Sequence, residues 1–234
     1  VSVVRIPDKG IEMRLLEDLY VYPWVSPQEN NANTVFIDGD VPTLIDPGHA
    51  HLFSHVIQGS AQDGIPVDKA ALIICTHGHP DHVEAAERFD EGVARAIGKK
   101  EYEYLQSEGR ELFMMTGAQA PRRPFRLLLQ KGILNLGRRR IRVIETPGHS
   151  PGSICLYWEE QKVLISGDTL FYLGVGRTDL SGGDVHQLAE SVERLAKLDV
   201  ECLVPGHGQI VKGRETVRKN FEVILREFFS VNSM

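Results

Sequence analysis

The amino-acid sequence predicts an α/β protein in which β-sheet is covered by helices. Apolar, β-branched runs such as Ala71-Leu-Ile-Ile-Cys75 alternate with segments of helical period such as 185–198, the pattern of a sheet with helices laid over it. Both halves of the 234-residue chain carry that alternation. A chain of this length buries a full core, and a single domain over residues 1–234 is expected.

Taken in order, residues 1–6, 12–25, 34–37 and 41–45 read as strands, separated by turn signals such as Asp38-Gly39 and Pro47-Gly48. A first helix is expected at 49–58. The run 71–75 is apolar throughout, as a strand covered on both faces should be. Helical period returns over 80–89. Residues 99–129 read as a mainly helical insertion interrupted by Pro121 and Pro124, with Phe113, Met114 and Met115 assigned to core. Strands are expected at 141–145, 153–158 and 162–166. Asp184 is a good cap for a helix at 185–198. A short strand at 201–204 and a closing helix at 215–229 complete the chain.

Composition excludes several classes. A hydrophobic content of 42% and a charged content of 25% are those of a soluble globular protein. The net charge of -6 argues against a general nucleic-acid binder. Two arginine-rich stretches, Arg122, Arg123 and Arg126, then Arg138, Arg139, Arg140 and Arg142, read as solvated faces. Cys75, Cys155 and Cys202 sit in or beside strand-like runs and are expected to be free thiols. No apolar run approaches the roughly 18 residues of a membrane span. The opening Val-Ser-Val-Val-Arg has no basic-then-apolar leader, so the cytoplasm is the expected location.

The chemistry is concentrated in Thr76-His-Gly-His-Pro-Asp-His82, which places three of the nine histidines and an aspartate in six residues. Alternate residues of an extended segment face the same way, so His77 and His79 can address one ion. A helix starting near Pro80 would turn Asp81 and His82 toward a second position. His149 in Pro-Gly-His-Ser, Asp168 in Ser-Gly-Asp-Thr and His207 in Pro-Gly-His-Gly each follow an apolar strand in a glycine-bearing turn. Strand ends on one sheet edge converge. Imidazole and carboxylate suit zinc, iron and manganese. The seven candidates His77, His79, Asp81, His82, His149, Asp168 and His207 are too many for one tetrahedral zinc and suit two ions sharing a carboxylate. His51, His55 and His186 read as ordinary surface or internally satisfied histidines.

The H-x-H-x-D-H motif at 77–82, followed by separate histidine, aspartate and histidine candidates, resembles the metallo-β-lactamase-fold superfamily over nearly the whole chain. The resemblance implies an αβ/βα four-layer sandwich, two mixed sheets face to face with helices outside. It implies that His77, His79 and His149 hold one ion, that Asp81, His82 and His207 hold the other, and that Asp168 bridges them. Asp46 matches an early acidic residue that supports the site from behind. The stretch Gly174-Val-Gly-Arg-Thr-Asp-Leu180 is similar to the glyoxalase II-like branch, in which a basic residue near Arg177 contacts a substrate carboxylate; the same stretch would equally brace its loop. Two divalent ions are thus expected, zinc first, with iron or manganese as alternatives. The implied reaction is hydrolysis of a small, anionic thioester or related ester by a metal-bridging hydroxide, with Asp81 and Asp168 in the catalytic apparatus. Glutathione-dependent members carry a helical C-terminal domain, whereas the residues after Gly208 suffice for one helix. Rival readings are a mononuclear iron persulfide dioxygenase using His77, His149 and Asp168, or a lactonase or β-lactamase of the same fold.

Overall fold

The computed structural model describes residues 14–229; the strand expected at 1–6 and the start of the 12–25 run lie outside the described residues. Sheet one contains, in spatial order, β1 (Arg14–Leu16), β2 (Leu19–Tyr22), β3 (Thr34–Ile37), β4 (Thr43–Ile45), β5 (Leu72–Cys75), β6 (Ala94–Gly98) and β7 (Leu127–Leu129). Its first four strands are antiparallel neighbours, and β4 through β7 are parallel. Sheet two is built from β8 (Gly132–Leu136), β9 (Arg139–Glu145), β10 (Ile154–Trp158), β11 (Val163–Gly167), β14 (Cys202–Pro205) and β15 (Val211–Lys212). Its spatial order is β15-β14-β11-β10-β9-β8, and only β11 and β14 are parallel. A small separate hairpin pairs β12 (Leu170–Phe171) with β13 (Gly174–Val175).

Parallel neighbours require crossovers, and the helices supply them. Helix α1 (Ser54–Gln62) links β4 to β5. The short α2 (Pro80–Val83), extended by a 3-10 turn at Glu84–Arg88, links β5 to β6. Helices α3 (Lys99–Leu105) and α4 (Arg110–Thr116) lie between β6 and β7. The helical stretch that begins at residue 99 is therefore the crossover between two parallel strands, and its last residues form one of them. Helix α5 (Val185–Leu195) carries β11 to β14, and α6 (Arg214–Ile224) runs into a π-helical turn at Leu225–Phe229.

Three apolar layers follow from this layout. The central one joins Val21, Val35, Ile45 and Ile74 of sheet one to Val143, Ile154, Leu156 and Ile165 of sheet two. Outside sheet one, Tyr22, Phe36, Ile73 and Ile97 pack with Phe53 and Val56 of the α1 region and with Phe113 of α4. Outside sheet two, Tyr157, Leu164 and Leu203 pack with Val192 and Leu195 of α5 and Val217 and Phe221 of α6. Alternate residues of each central strand thus enter different cores, as the pleat requires, and the molecule is the four-layer sandwich that the sequence motifs imply.

Local departures have local causes. The first helix begins at Ser54, later than expected, because Gly48 has φ of +84° and residues 49–52 form a turn in which the Leu52 N–H donates to the His49 carbonyl. Phe113 is buried, but Met114 and Met115 are 76% and 75% exposed and leave the core assignment. They follow Phe113 on a two-turn helix with a single buried face. Cys75 and Cys155 are buried free thiols, and Cys202 is a half-buried one. No helix among the described residues is long and apolar enough to cross a membrane.

Candidate metal centre

The chain leaves β5 at Cys75, passes through Thr76-His77-Gly78-His79 in extended form, and enters α2 with Pro80 at its first position. Proline fits there because the first helical N–H has no partner in the helix. One turn later α2 presents Asp81 and His82. Three further strand ends, after β9, β11 and β14, bring His149, Asp168 and His207 to the same edge. All seven residues proposed from the motifs meet in one cluster.

His77 Nε2 and His149 Nε2 are 3.2 Å apart, and His79 Nδ1 lies 3.0 Å from His149 Nε2. Beside this trio, His82 Nε2 and His207 Nε2 are 3.2 Å apart, with Asp81 Oδ2 3.2 Å from the latter. Asp168 stands between the groups. Its Oδ1 is 3.3 Å from His82 Nε2, and its Oδ2 is 3.6 Å from His149 Nε2 and 3.3 Å from His207 Nε2.

The rings of His77, His82 and His149 are oriented from behind. Thr76 Oγ1 lies 3.1 Å from His77 Nδ1 and donates to Asp46 Oδ2 at 2.7 Å, while the Thr76 N–H donates to Asp46 Oδ1 at 2.7 Å. His82 Nδ1 lies 3.0 Å from Asp46 Oδ2. Asp46 is buried with φ of +49°, so one strained aspartate supports two of the ligand histidines. His149 Nδ1 donates to the Arg177 carbonyl at 2.7 Å, which leaves Nε2 unprotonated and facing the trio. The backbone approaches closely as well. A Cβ on Gly206 would lie 2.2 Å from Asp168 Oδ1 and 2.8 Å from His82 Cε1, so only glycine fits between these ligands.

Electrostatics divide the cluster in two. Burial, followed by the neighbouring His149, pushes His79 down to about 3, and burial also holds His77 and His149 below the usual histidine range. The trio is neutral. Burial acts in the same sense on His82 and His207, but Asp168 and the other carboxylates override it, raising His82 well above its ordinary value and His207 to about 9. Asp81 and Asp168 are held below the carboxylate range against their own burial, chiefly by His82 and His207.

The donor set fits divalent transition metals. Nitrogens bound tetrahedrally at about 2.0–2.1 Å stand roughly 3.3 Å apart, close to the separations in the trio. Asp168 Oδ1 is buried with only the His82 ring nitrogen, 3.3 Å away, to balance it, and a cation would complete it. In three sets the ligand atoms lie within 4.8 Å of one another and could hold an ion: His77, His79 and His149; His77, His82 and Asp168; and Asp81, His82 and His207. A separate grouping of His49, His51 and Glu84 is accounted for by hydrogen bonds, since Glu84 accepts from His49 Nδ1 and from the N–H groups of Ala50 and Gln119.

Several supporting residues escaped the sequence reading. Asn30 Nδ2 donates to Asp81 Oδ2 at 2.5 Å. Asn33 Nδ2 donates to the carbonyls of Pro205 and Gly208, both at 3.0 Å, and its N–H donates to the Gly206 carbonyl. The buried carboxylate of Glu101 accepts from the Gly78 N–H at 2.8 Å, Ser150 Oγ at 2.7 Å and the Gly152 N–H at 2.8 Å. Glu101 therefore ties the His77–His79 segment to the His149 turn. The asparagine-rich Glu29-Asn-Asn-Ala-Asn33 was the one visible signal; a glutamate within a charged helix offered none. Arg177 has an exposed side chain held by Asp179 through two hydrogen bonds of 2.7 Å. His51 pairs with Glu29 at the surface, and His55 lies against the carbonyls of Leu52 and Tyr22.

This chain is similar to known proteins along most of its length. The model of the metallo-beta-lactamase superfamily matches residues 28–207. The probable metallo-hydrolase MJ0888 of Methanocaldococcus jannaschii is 34% identical over 189 residues, 77% of this chain and 89% of the relative. A hydroxyacylglutathione hydrolase of Francisella tularensis is 28% identical, with 72% of this chain and 59% of the relative aligned. Among solved structures, TTHA1623 in a di-iron-bound form superposes with a TM-score of 0.69 at 28% identity, covering 88% of this chain and 98% of its own. With the ligand motif, the sandwich and a family match spanning all seven candidate residues, the chain belongs to the metallo-beta-lactamase superfamily.

Proposed function

We propose that this chain is a dinuclear metal-dependent hydrolase acting on thioesters, of the glyoxalase II-like branch. The observation that carries the reading is the place of Asp168, within 3.6 Å of ring nitrogens from both histidine groups. In this reading His77, His79 and His149 would hold one ion, Asp81, His82 and His207 would hold the other, and Asp168 would serve both. Zinc is the first choice, with iron or manganese as alternatives. When bound, such a pair supplies an activated water at neutral pH and an electrophile for a carbonyl oxygen.

The chain's own groups do the rest. Asn30 fixes the Asp81 carboxylate, which is then placed to accept a hydrogen bond from the attacking water. Phe171, its ring centroid 5.9 Å from that of His207, gives an apolar wall for an acyl group beside the ligands. An anionic substrate group would reach Arg177 by displacing Asp179. A thiolate leaves without a proton donor because a simple thiol has a pKa of about 8.5, whereas an amine would need one. The similarity to a hydroxyacylglutathione hydrolase supports this substrate class.

The test is metal analysis joined to a panel of thioesters, esters and lactones. We expect about two ions per chain and thioester kcat/KM at least tenfold above the others. His79→Ala and Asp168→Ala should each lower kcat by about 10³ or more with the fold retained. Full activity in either variant would sink the site assignment. One iron per chain with oxygen uptake on a persulfide would replace hydrolysis by the dioxygenase reading.

A further inference from the structure

Behind the His149 turn lies a cleft of about 640 Å³ that none of the seven candidate ligands lines. Its lining comes from the end of β6 and start of α3, from β8 and β9, and from the turn around Pro151. The β7–β8 connection crosses from sheet to sheet and closes one end. Five cations line it, Lys99, Lys100, Lys131, Arg142 and Arg194, against the single carboxylate of Glu145. Among the described residues, Lys99, Lys100, Lys131 and Arg142 form no ion pair. This is a local excess of positive charge on a chain whose net charge is -6. Like charges gathered without counter-ions repel one another, and an anion would relieve that.

The walls are aliphatic. Leu129, Ile133, Ile144, Pro147 and Pro151 line the cleft, and no aromatic side chain does. A nucleobase would find nothing to stack on. Ile133 is 45% exposed. The volume falls within the roughly 300–1,000 Å³ usual for small-molecule sites. Aliphatic walls beneath a cationic rim match a molecule with an alkyl body and a charged head.

We propose that this cleft is a second binding site, for a single-chain amphiphilic anion: an alkyl or acyl chain ending in a carboxylate or phosphate. The chain would lie along Leu129, Ile133 and Pro151, and the head would meet Lys131 and Arg142. The proposal does not rest on the thioesterase reading, because the ligand need not touch the metal centre.

The experiment is calorimetric titration of the metal-loaded protein with decanoate and with decyl phosphate, each below its micellar concentration. Decanol and inorganic phosphate are the controls. The expected result is one amphiphile per chain, weakened at least tenfold in the doubly substituted Lys131→Glu/Arg142→Glu protein and weakened by salt. Both substitutions are at exposed positions, so metal content and thermal midpoint should stay at their unsubstituted values and certify the fold. Unchanged decanoate binding in the double variant would overturn the proposal, since the ligand would then be held elsewhere. Inorganic phosphate binding as tightly as decyl phosphate would overturn the amphiphile assignment. So would no detectable binding of either amphiphile.

Discussion

Glu101 shows how much of the centre depends on one residue that is no ligand. Its carboxylate is fully buried and receives three donors from the two segments that bear His77, His79 and His149. Burial raises its pKa even though those donors favour the charged form. Glu101→Gln keeps the shape but turns an NH₂ group toward at least one donor. A loss of about 1–3 kcal/mol of stability is expected, with metal released to a chelator at least tenfold faster than from the unsubstituted protein. Unchanged release would show that the two segments hold themselves. The proton inventory gives a second expectation. At pH 7 the metal-free His82 and His207 hold protons, with His207 at about 9, while His77, His79 and His149 do not. Metal uptake at Asp81, His82 and His207, as proposed, should therefore release protons. Affinity there should climb with pH until about 9, while the histidine trio shows little dependence above neutrality. Titration calorimetry in buffers of different ionisation heat reads this directly, and equal proton release at both positions would contradict it. Every ligand candidate was legible in the sequence because histidine and aspartate in glycine turns after apolar runs stand out. Glu101, Asn30 and the Arg177 carbonyl were not, since their roles depend on what the fold brings opposite them.

Among the elements, those with a strong apolar signature were the ones the sequence disclosed. β5, β10 and β11 are buried along their whole length; β5 and β10 read as unbroken apolar runs, and β11 as an apolar run that ends in Ser166-Gly167. β6 did not, because its sequence Ala-Arg-Ala-Ile-Gly contains a cation in a buried strand. Arg95 is 3% exposed and donates to the carbonyls of Val93, Ala86, Phe89 and Asp90. It closes the loop that follows α2, so the charge is structural. Arg95→Ala should destabilise the protein by about 2–4 kcal/mol in urea unfolding while leaving the metal ligands in place; a loss below about 0.5 kcal/mol would mean that water satisfies those carbonyls. β7 and β8 escaped for the opposite reason. They are short edge strands with mostly exposed side chains; β7 is only three leucines, which favour helix as readily as strand, and the Gly-Ile-Leu-Asn-Leu of β8 does not alternate.

At the scale of the whole molecule, the central core is shared between the two sheets, and the metal cluster lies on the edge where both present strand ends. Ions binding there bind the folded chain far better than the unfolded one. Each site filled at about a thousand times its Kd adds about 4 kcal/mol, and for a chain of this size 1 kcal/mol shifts Tm by about 2–4 °C. If two ions are held as proposed, stripping them should lower Tm by about 15–30 °C, as read by scanning calorimetry with and without chelator, and restoring the metal should recover it. A shift of only a degree or two would mean that the sandwich stands without its ions.

Asn33 reaches across the chain to Pro205, Gly206 and Gly208, and Asn30 reaches to Asp81. During synthesis, Asn33 and the His77–His82 segment leave the ribosome long before residues 205–208 exist. The nascent first half must therefore wait with the donors of Asn33 open and His82 lacking its neighbour His207. Contacts so distant in sequence form late and slowly. Until they form, the histidine-rich edge lacks His207, so complete coordination at this edge has to wait for residues 205–208.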